Sequence, residues 1–345
     1  MAKALNGDDI PVNALTIEKR LADIWRENSE EGEDAIARAA LWNVIAHTWD
    51  SEQHTFATEI LGRASVAVPQ RTIVIRADPQ AETDELSSSI SMNCHTISDG
   101  RQVYSEEVKI IAAGERVAHV PPLVSSLLLP DMPVAVWWVG DLPSEQPKYV
   151  ETLLDPADRL IVDSSQFDAA DDFALVSRIA EKTFTAPADL SWARIEEWRS
   201  ATAALFDPPQ MRALLRKIRG VRVVSGGGSS LGDRSEAVLY VAWLEAQTGR
   251  EVRCDFASDG TEPGIASIDI RFDDDSRATV RVDRERNVVL AASDGMSIAI
   301  DHVARAGTRE VEDLIVRLLK RPEADRVYVK ALRVATEVAA RMAAV

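Results

Sequence analysis

Apolar positions recur at three- and four-residue spacing from Thr16 to Arg26 (Ile17, Leu21, Ile24, Trp25) and again from Asp34 to Asp50 (Ile36, Ala40, Leu41, Val44, Ile45), the period of an amphipathic helix. The acidic, glycine-containing stretch between them reads as a solvated turn. The pattern therefore predicts an opening helical hairpin. The period then shortens to that of strands. Arg71 to Arg76 is β-branched and stops at Asp78-Pro79, as a buried strand does. Ser87 to Ile97 and Gln102 to Ala112 flank Ser98-Asp99-Gly100-Arg101, which predicts an antiparallel hairpin closed by an Asp-Gly turn.

A helical stretch from Glu115 to Leu129, strands Val134 to Val139 and Arg159 to Asp163, and a helix from Asp168 to Lys182 follow. Helical crossovers favour parallel neighbours, whereas a hairpin is antiparallel. The expected fold class is thus α/β, with an N-terminal mixed-sheet domain and flanking helices over residues 1–186. Residues 187–345 read differently. Helical runs from Ser191 to Leu205 and Pro209 to Arg216 lead to a strand at Val221 to Val224 and a helix from Arg234 to Gln247. Short β-rich runs broken by Asp-Gly and Asp-Asp-Asp turns fill Glu251 to Ile300, and helices from Arg309 to Leu319 and Ala324 to Ala344 close the chain. This predicts an α+β domain with a mainly antiparallel sheet. No internal repeat is present.

Composition narrows the function classes. Across 345 residues, 56 acidic against 39 basic side chains give a net charge of −17, which opposes a nucleic acid or an anionic membrane as the main partner. Local basic pockets stay open to an anionic metabolite. Two isolated cysteines, Cys94 and Cys254, form neither a disulfide framework nor a CxxC pair, and with no spanning apolar run or signal-like start the chain reads as cytoplasmic.

Few motifs carry chemistry. Gly226-Gly227-Gly228-Ser229-Ser230 lies between a strand and a helix, where backbone N–H groups could cradle a phosphate. It lacks the Lys-Ser/Thr pair of a P-loop, and Leu231 stands where a dinucleotide fingerprint needs its last glycine. A flexible connector and an anion-binding loop are the two readings. Cys94-His95 are neighbours in a strand and point to opposite faces, which argues against a thiolate–imidazolium pair. Five histidines form no zinc spacing, Asp273-Asp274-Asp275 reads as a hairpin turn, and no GxSxG elbow occurs. No metal, cofactor or catalytic residue is expected. Trp137-Trp138 in an apolar strand places one ring on each face, so at least one is core.

His119-Val-Pro-Pro-Leu-Val-Ser-Ser-Leu-Leu-Leu-Pro-Asp-Met-Pro-Val-Ala-Val-Trp-Trp-Val-Gly-Asp141 resembles the central signature of the glucose-6-phosphate dehydrogenase assembly protein family, OpcA. Further matching segments are Arg71 to Ile75, Glu106-Glu107, Ala157 to Ser164, Asp189 to Ile195, Trp198-Arg199 and Leu205 to Pro208. The resemblance implies a non-catalytic protein that binds glucose-6-phosphate dehydrogenase, promotes its active oligomer and raises its activity toward glucose 6-phosphate, feeding the oxidative pentose phosphate pathway. The alternative is a regulator that binds a phosphosugar or nucleotide at Gly226–Ser230. Leu127, Leu128, Leu129, Val134 and Val136 suit a helix running into a buried strand, with Pro130 and Pro133 setting the bend. The polar or aromatic remainder supplies the exposed candidates for partner or ligand contact: His119, Ser125, Ser126, Asp131, Trp138 and Asp141.

Overall fold

The computed structural model describes residues 3–5, 9–10, 12–30, 37–38, 40–96, 102–143, 147–228, 230–258, 263–294 and 301–343. They fall into two compact units. The first comprises Met1–Val162, Ile179–Pro187 and Val311–Glu323, and the second Asp163–Arg178, Ala188–Glu310 and Ala324–Val345.

The first unit runs β1 (Lys3–Leu5), β2 (Asp9–Ile10), α1 (Ala14–Glu30), β3 (Ala37–Arg38), β4 (Trp42–Thr48), α2 (Ser51–Ala67), β5 (Gln70–Asp78), β6 (Glu85–Thr96) and β7 (Gln102–Ala113). It continues through α3 (Val120–Leu127), β8 (Val134–Trp138), α4 (Pro147–Leu154) and β9 (Arg159–Val162). Helix α5 (Asp171–Thr183) and strand β10 (Ala186–Asp189) lead out of it. The sheet order is β1-β6-β7-β5-β4-β8-β9-β10, with β2 beside β6 and β3 beside β7. Strands β7, β5, β4, β8 and β9 are parallel, while β6 and β7 form the expected antiparallel hairpin. The hairpin's Asp-Gly tip lies outside the described residues.

The expected helix from Asp34 to Asp50 is overturned over its described residues: Ala37–Arg38 and Trp42–Thr48 are strands, the latter buried at every position, while residues 34–36 and 39 lie outside the described residues. A central parallel strand covered on both faces carries apolar residues without alternation, so a chance three- and four-residue spacing imitates a helix. The helix begins only at Ser51, where the expected one ends, and there the Asp50 carboxylate accepts the Gln53 N–H and caps α2. Two further helical stretches are subdivided. Gly114–His119 is a 3-10 turn before α3, since Pro121 and Pro122 lack the N–H groups that would extend a helix from upstream. Residues 190–205 break at Ile195 into α6 (Leu190–Arg194) and α7 (Glu196–Leu205).

From β4 the chain moves outward to β5 and β7, then returns to place β8 on the other side of β4. The carboxyl ends of β4 and β8 therefore flank a topological switch point, the position at which open α/β sheets form a ligand crevice.

The second unit adds α8 (Pro209–Arg212), β11 (Ile218–Gly226), α9 (Leu231–Thr248) and strands β12 (Arg253–Ser258), β13 (Gly264–Phe272), β14 (Arg277–Asp283), β15 (Val288–Asp294) and β16 (Asp301–Arg305). Its sheet order is β12-β11-β13-β14-β15-β16. Only the β11–β12 pair is parallel, so the sheet is mainly antiparallel as expected, and Asp273 to Asp275 sit in the β13–β14 turn. Val221, Val223, Ile268, Ile270, Ala278 and Val280 are buried on one face, where α9 and α7 pack. Alternate residues on these strands face outward. Helix α9 is buried nearly all round, so its acids need partners: Glu236 pairs with Arg309 and Glu245 with Arg341. Helix α10 (Val311–Leu319) packs on α2 in the first unit, with Arg63 paired to Glu312, whereas α11 (Arg326–Ala343) packs on α9 in the second. No helix among the described residues is long and apolar enough to cross a membrane.

Candidate functional site

The switch-point crevice of the first unit is filled by aromatic side chains. His47 and Trp138 are register partners at the ends of β4 and β8 and stack with centroids 4.0 Å apart. Trp49 meets the His47 ring edge-on at 4.5 Å, and the Tyr149 hydroxyl of α4 lies 3.1 Å from His47 Nε2. Both indole N–H groups, of Trp49 and Trp138, donate to the Asp141 carbonyl at 2.9 Å, using the two lone pairs of one oxygen. Gly140 permits this turn. Its φ is +81°, and a Cβ there would fall 2.7 Å from the Gln53 amide nitrogen. Burial lowers the His47 pKa to about 3, so the ring is neutral at pH 7, and its Nδ1 has no partner among the described residues. Where a dinucleotide-binding sheet would present a glycine-rich turn, this chain has the Asp50 carboxylate accepting the Gln53 N–H at the start of α2. A negative cap and packed rings are a poor receptor for a phosphate.

The six contact candidates do not share one place. His119, Ser125, Ser126, Asp131 and Asp141 are exposed, but Trp138 is only 1% exposed. Its assignment as an exposed contact is corrected: every residue of β8 is buried, so both of its faces are core. Trp137 turns toward α2, meeting Phe56 at 6.0 Å, and Trp138 turns toward α4. Ser125 and Ser126 donate to the Pro121 and Pro122 carbonyls of their own helix. Asp131, at a φ of +64°, precedes β8 and Asp141 follows it, which puts them at opposite ends of that strand.

A buried arginine organises the other end of this sheet. Arg71, 1% exposed, directs Nε to Glu106 at 2.7 Å and Nη1 to the Leu127 carbonyl at 2.6 Å, and also pairs with Glu18 of α1. Trp25 donates to the same Glu106. The second unit has a comparable network. Arg194 grips both Asp163 oxygens at 2.8 and 2.7 Å; burial opposes ionisation of Asp163, but Arg194 and Ser165 hold its carboxyl below the usual range. Trp192 donates to Asp325 at 2.7 Å with the Arg199 guanidinium 3.5 Å above its ring.

Asp189 lies at the centre, fully buried, accepting from the Ser164 and Ser191 N–H groups and from the Tyr328 hydroxyl. Burial and the neighbouring Asp163 charge raise its pKa to about 6, partly offset by those N–H groups. Between pH 4 and pH 6 the folded chain thus holds a proton that the unfolded chain releases, so this group's stabilisation is present at pH 4 and is lost as pH rises through 6. Asp189→Asn, which keeps the shape and removes the charge, is expected to match the parent near pH 4 and to exceed its stability by up to ~3 kcal/mol at pH 7. Urea unfolding at both pH values checks this; a difference independent of pH refutes it.

The Gly226–Ser230 stretch is a self-capped helix start. Ser230 and Asp233 form a reciprocal capping box on α9, and the Asp233 carboxylate takes hydrogen bonds from Ser230 and the Gly228 backbone, which hold it below its usual pKa. The donors proposed for an anion there already serve a carboxylate. Ser229 lies outside the described residues, as do the side chains of Cys94 and His95. Cys254 is half-buried, and burial raises its thiol pKa, the opposite of an activated nucleophile. Among the described residues no group of His, Cys, Asp and Glu could hold a metal.

Residues 62–179 match the N-terminal domain, and residues 185–332 the C-terminal domain, of the glucose-6-phosphate dehydrogenase subunit family, OpcA. The chain belongs to this family. Among curated OpcA-family relatives, a protein of Synechocystis sp., provisionally named OxPP cycle protein OpcA, is 26% identical over 53% of this chain and 38% of its own length. A second, from Synechococcus elongatus and named likewise, is 26% identical over 61% of this chain and 46% of its own. The chain thus spans less than half the length of these relatives. A solved 3-ketoreductase, KijD10 of Actinomadura kijaniata, covers 86% of this chain and 95% of its own at 10% identity and a TM-score of 0.47, a likeness too slight to carry function. The family-matching segments at Arg71, Glu106, Asp163, Asp189 and Arg194 are the buried polar networks just described. Sequence reasoning missed His47, Trp49 and Tyr149, although Asp50 followed three residues later by Gln53 is a helix-start signal that would have moved the first boundary.

Proposed function

We propose that this chain is a non-catalytic subunit that binds glucose-6-phosphate dehydrogenase and raises its activity toward glucose 6-phosphate by favouring the active oligomer. Membership of the glucose-6-phosphate dehydrogenase subunit family carries the reading. The filled switch point supports it, because the place where such a sheet would receive a substrate or cofactor is occupied by the His47, Trp49, Trp138 and Tyr149 rings. A binding protein of this kind acts by linkage: it shifts the dehydrogenase toward the assembly it prefers, and a tenfold shift needs about 1.4 kcal/mol of differential affinity. The exposed residues His119, Ser125, Ser126, Asp131 and Asp141 are the proposed contacts, in a cytoplasmic setting.

The test is the initial rate of the same organism's glucose-6-phosphate dehydrogenase across a glucose 6-phosphate titration, with and without this protein at equimolar concentration. A raised rate or lowered KM, with co-elution on a sizing column, is expected. Unchanged kinetics with separate elution would refute the proposal.

A further inference from the structure

The outward face of the second unit's sheet carries an unusual row. Gly220 of β11 is register partner to Arg253 of β12 on one side and to Arg271 of β13 on the other, and Arg271 is opposite Arg277 of β14. Neighbouring strands lie ~4.8 Å apart, so three guanidinium-bearing chains stand along one line with a gap at the glycine. Like charges directly opposite one another, as Arg271 and Arg277 are, destabilise a sheet. The adjacent row shows the ordinary solution: Arg222 is flanked by Asp255 and Asp269. Arg253, Arg271 and Arg277 are exposed; Asp294 of β15 stands opposite Arg277 at the far end of the row, whereas Arg253 and Arg271 have only Gly220 between them.

These side chains surround a cavity of about 300 Å³, together with Arg219 and Arg222. Asp255 and Asp275 also line it, Asp275 lying 3.7 Å from Arg219, which leaves five guanidinium groups against two carboxylates. Gly220 keeps the floor open. A Cβ at that position would approach the Arg253 carbonyl at 3.1 Å, and Gly220 also follows a register irregularity in the β11–β13 pairing, so the glycine suits the strand geometry and at the same time leaves the space between the arginines unfilled. The volume is at the small end of ligand sites. Guanidinium forks suit phosphate oxygens, which accept two parallel N–H bonds. The one aromatic residue of the lining, Phe272, is fully buried, so no ring is offered to stack a base.

We infer that this notch is a binding site for a small phosphate-bearing ligand without an aromatic base, held by Arg253, Arg271 and Arg277 across Gly220. It is separate from the Gly226–Ser230 loop and independent of the dehydrogenase-binding reading.

The experiment is calorimetric titration of the full chain with inorganic pyrophosphate at low ionic strength. Saturable binding is expected, weakened at least tenfold in Arg253→Gln/Arg271→Gln and also in Gly220→Val. Arg281→Gln, exposed on the same face but outside the lining, is expected to bind as the parent does. A pyrophosphate-dependent rise in Tm in the parent and not in the double variant gives a second readout. Absence of saturable binding at millimolar pyrophosphate overturns the inference, as does equal weakening in all the variants. So does an outcome in which the double variant keeps its pyrophosphate affinity and loses only its capture of the dehydrogenase, since the row would then be a protein-docking surface.

Discussion

Replacing Arg71 by methionine is expected to cost the first unit ~3–5 kcal/mol, because removal of one partner from a buried ion pair leaves the other charge uncompensated. The stranded group is Glu106, 4% exposed, whose oxygens also receive the Trp25 indole N–H. The Leu127 carbonyl at the end of α3 loses its donor in the same step. Two comparisons separate the causes. Glu106→Gln in the Arg71→Met background removes the unpaired charge and is expected to recover more than half of the loss. Arg71→Lys restores charge but cannot point at Glu106, Glu18 and Leu127 together, and is expected to recover less. Urea unfolding followed by circular dichroism reads both, taken as two transitions where the units melt separately. A cost of Arg71→Met below about 1 kcal/mol would place the guanidinium among pairs that contribute little.

This network shows where sequence reading stops. Arg71 and Glu106 each stand in a family-like segment, yet 35 positions separate them, and only the β5–β7 register makes Arg71 the partner of Glu106. Local structure was legible wherever one face of an element is solvated or a turn is spelled out, as in the β6–β7 hairpin and the β13–β14 turn. It was not legible in β4, since burial of all seven residues removes the alternation that identifies a strand. The same burial hid the character of Trp138. As a bulky ring in a motif it resembles a contact residue, and its environment is decided by β4 and α4, which the motif does not contain. The arginine row is invisible for a related reason. Residues 220, 253, 271 and 277 are scattered along the chain and become neighbours through three strand pairings, on a protein whose net charge of −17 gives no hint of a basic notch.

Trp138→Ala is expected to cost ~3–5 kcal/mol, the usual range for emptying a large buried aromatic site. The indole is 1% exposed, stacks on His47 at 4.0 Å and donates to the Asp141 carbonyl at 2.9 Å. Its removal opens the cluster at the switch point and unseats the neutral His47, whose pKa of about 3 depends on burial. A depressed histidine contributes stability that is present above its unfolded pKa and is lost as pH falls through 6.5 toward 3. The parent is therefore expected to weaken on acidification through this group, whereas Trp138→Ala, with His47 wetted and its pKa nearer 6.5, should show a shallower dependence. Trp138→Phe keeps a ring over the imidazole and loses the indole N–H, so a cost of ~1–2 kcal/mol is expected, near the worth of one hydrogen bond with some lost packing. Activation of the dehydrogenase distinguishes core from contact. Trp138→Phe is expected to leave the activation curve unchanged under conditions where it is folded, while substitutions at exposed Ser125 and Ser126 leave stability alone and shift the curve. If Trp138→Ala stayed within about 1 kcal/mol of the parent and abolished activation, the indole would have to lie at the partner surface, and the packed crevice could not be the reason the switch point is closed.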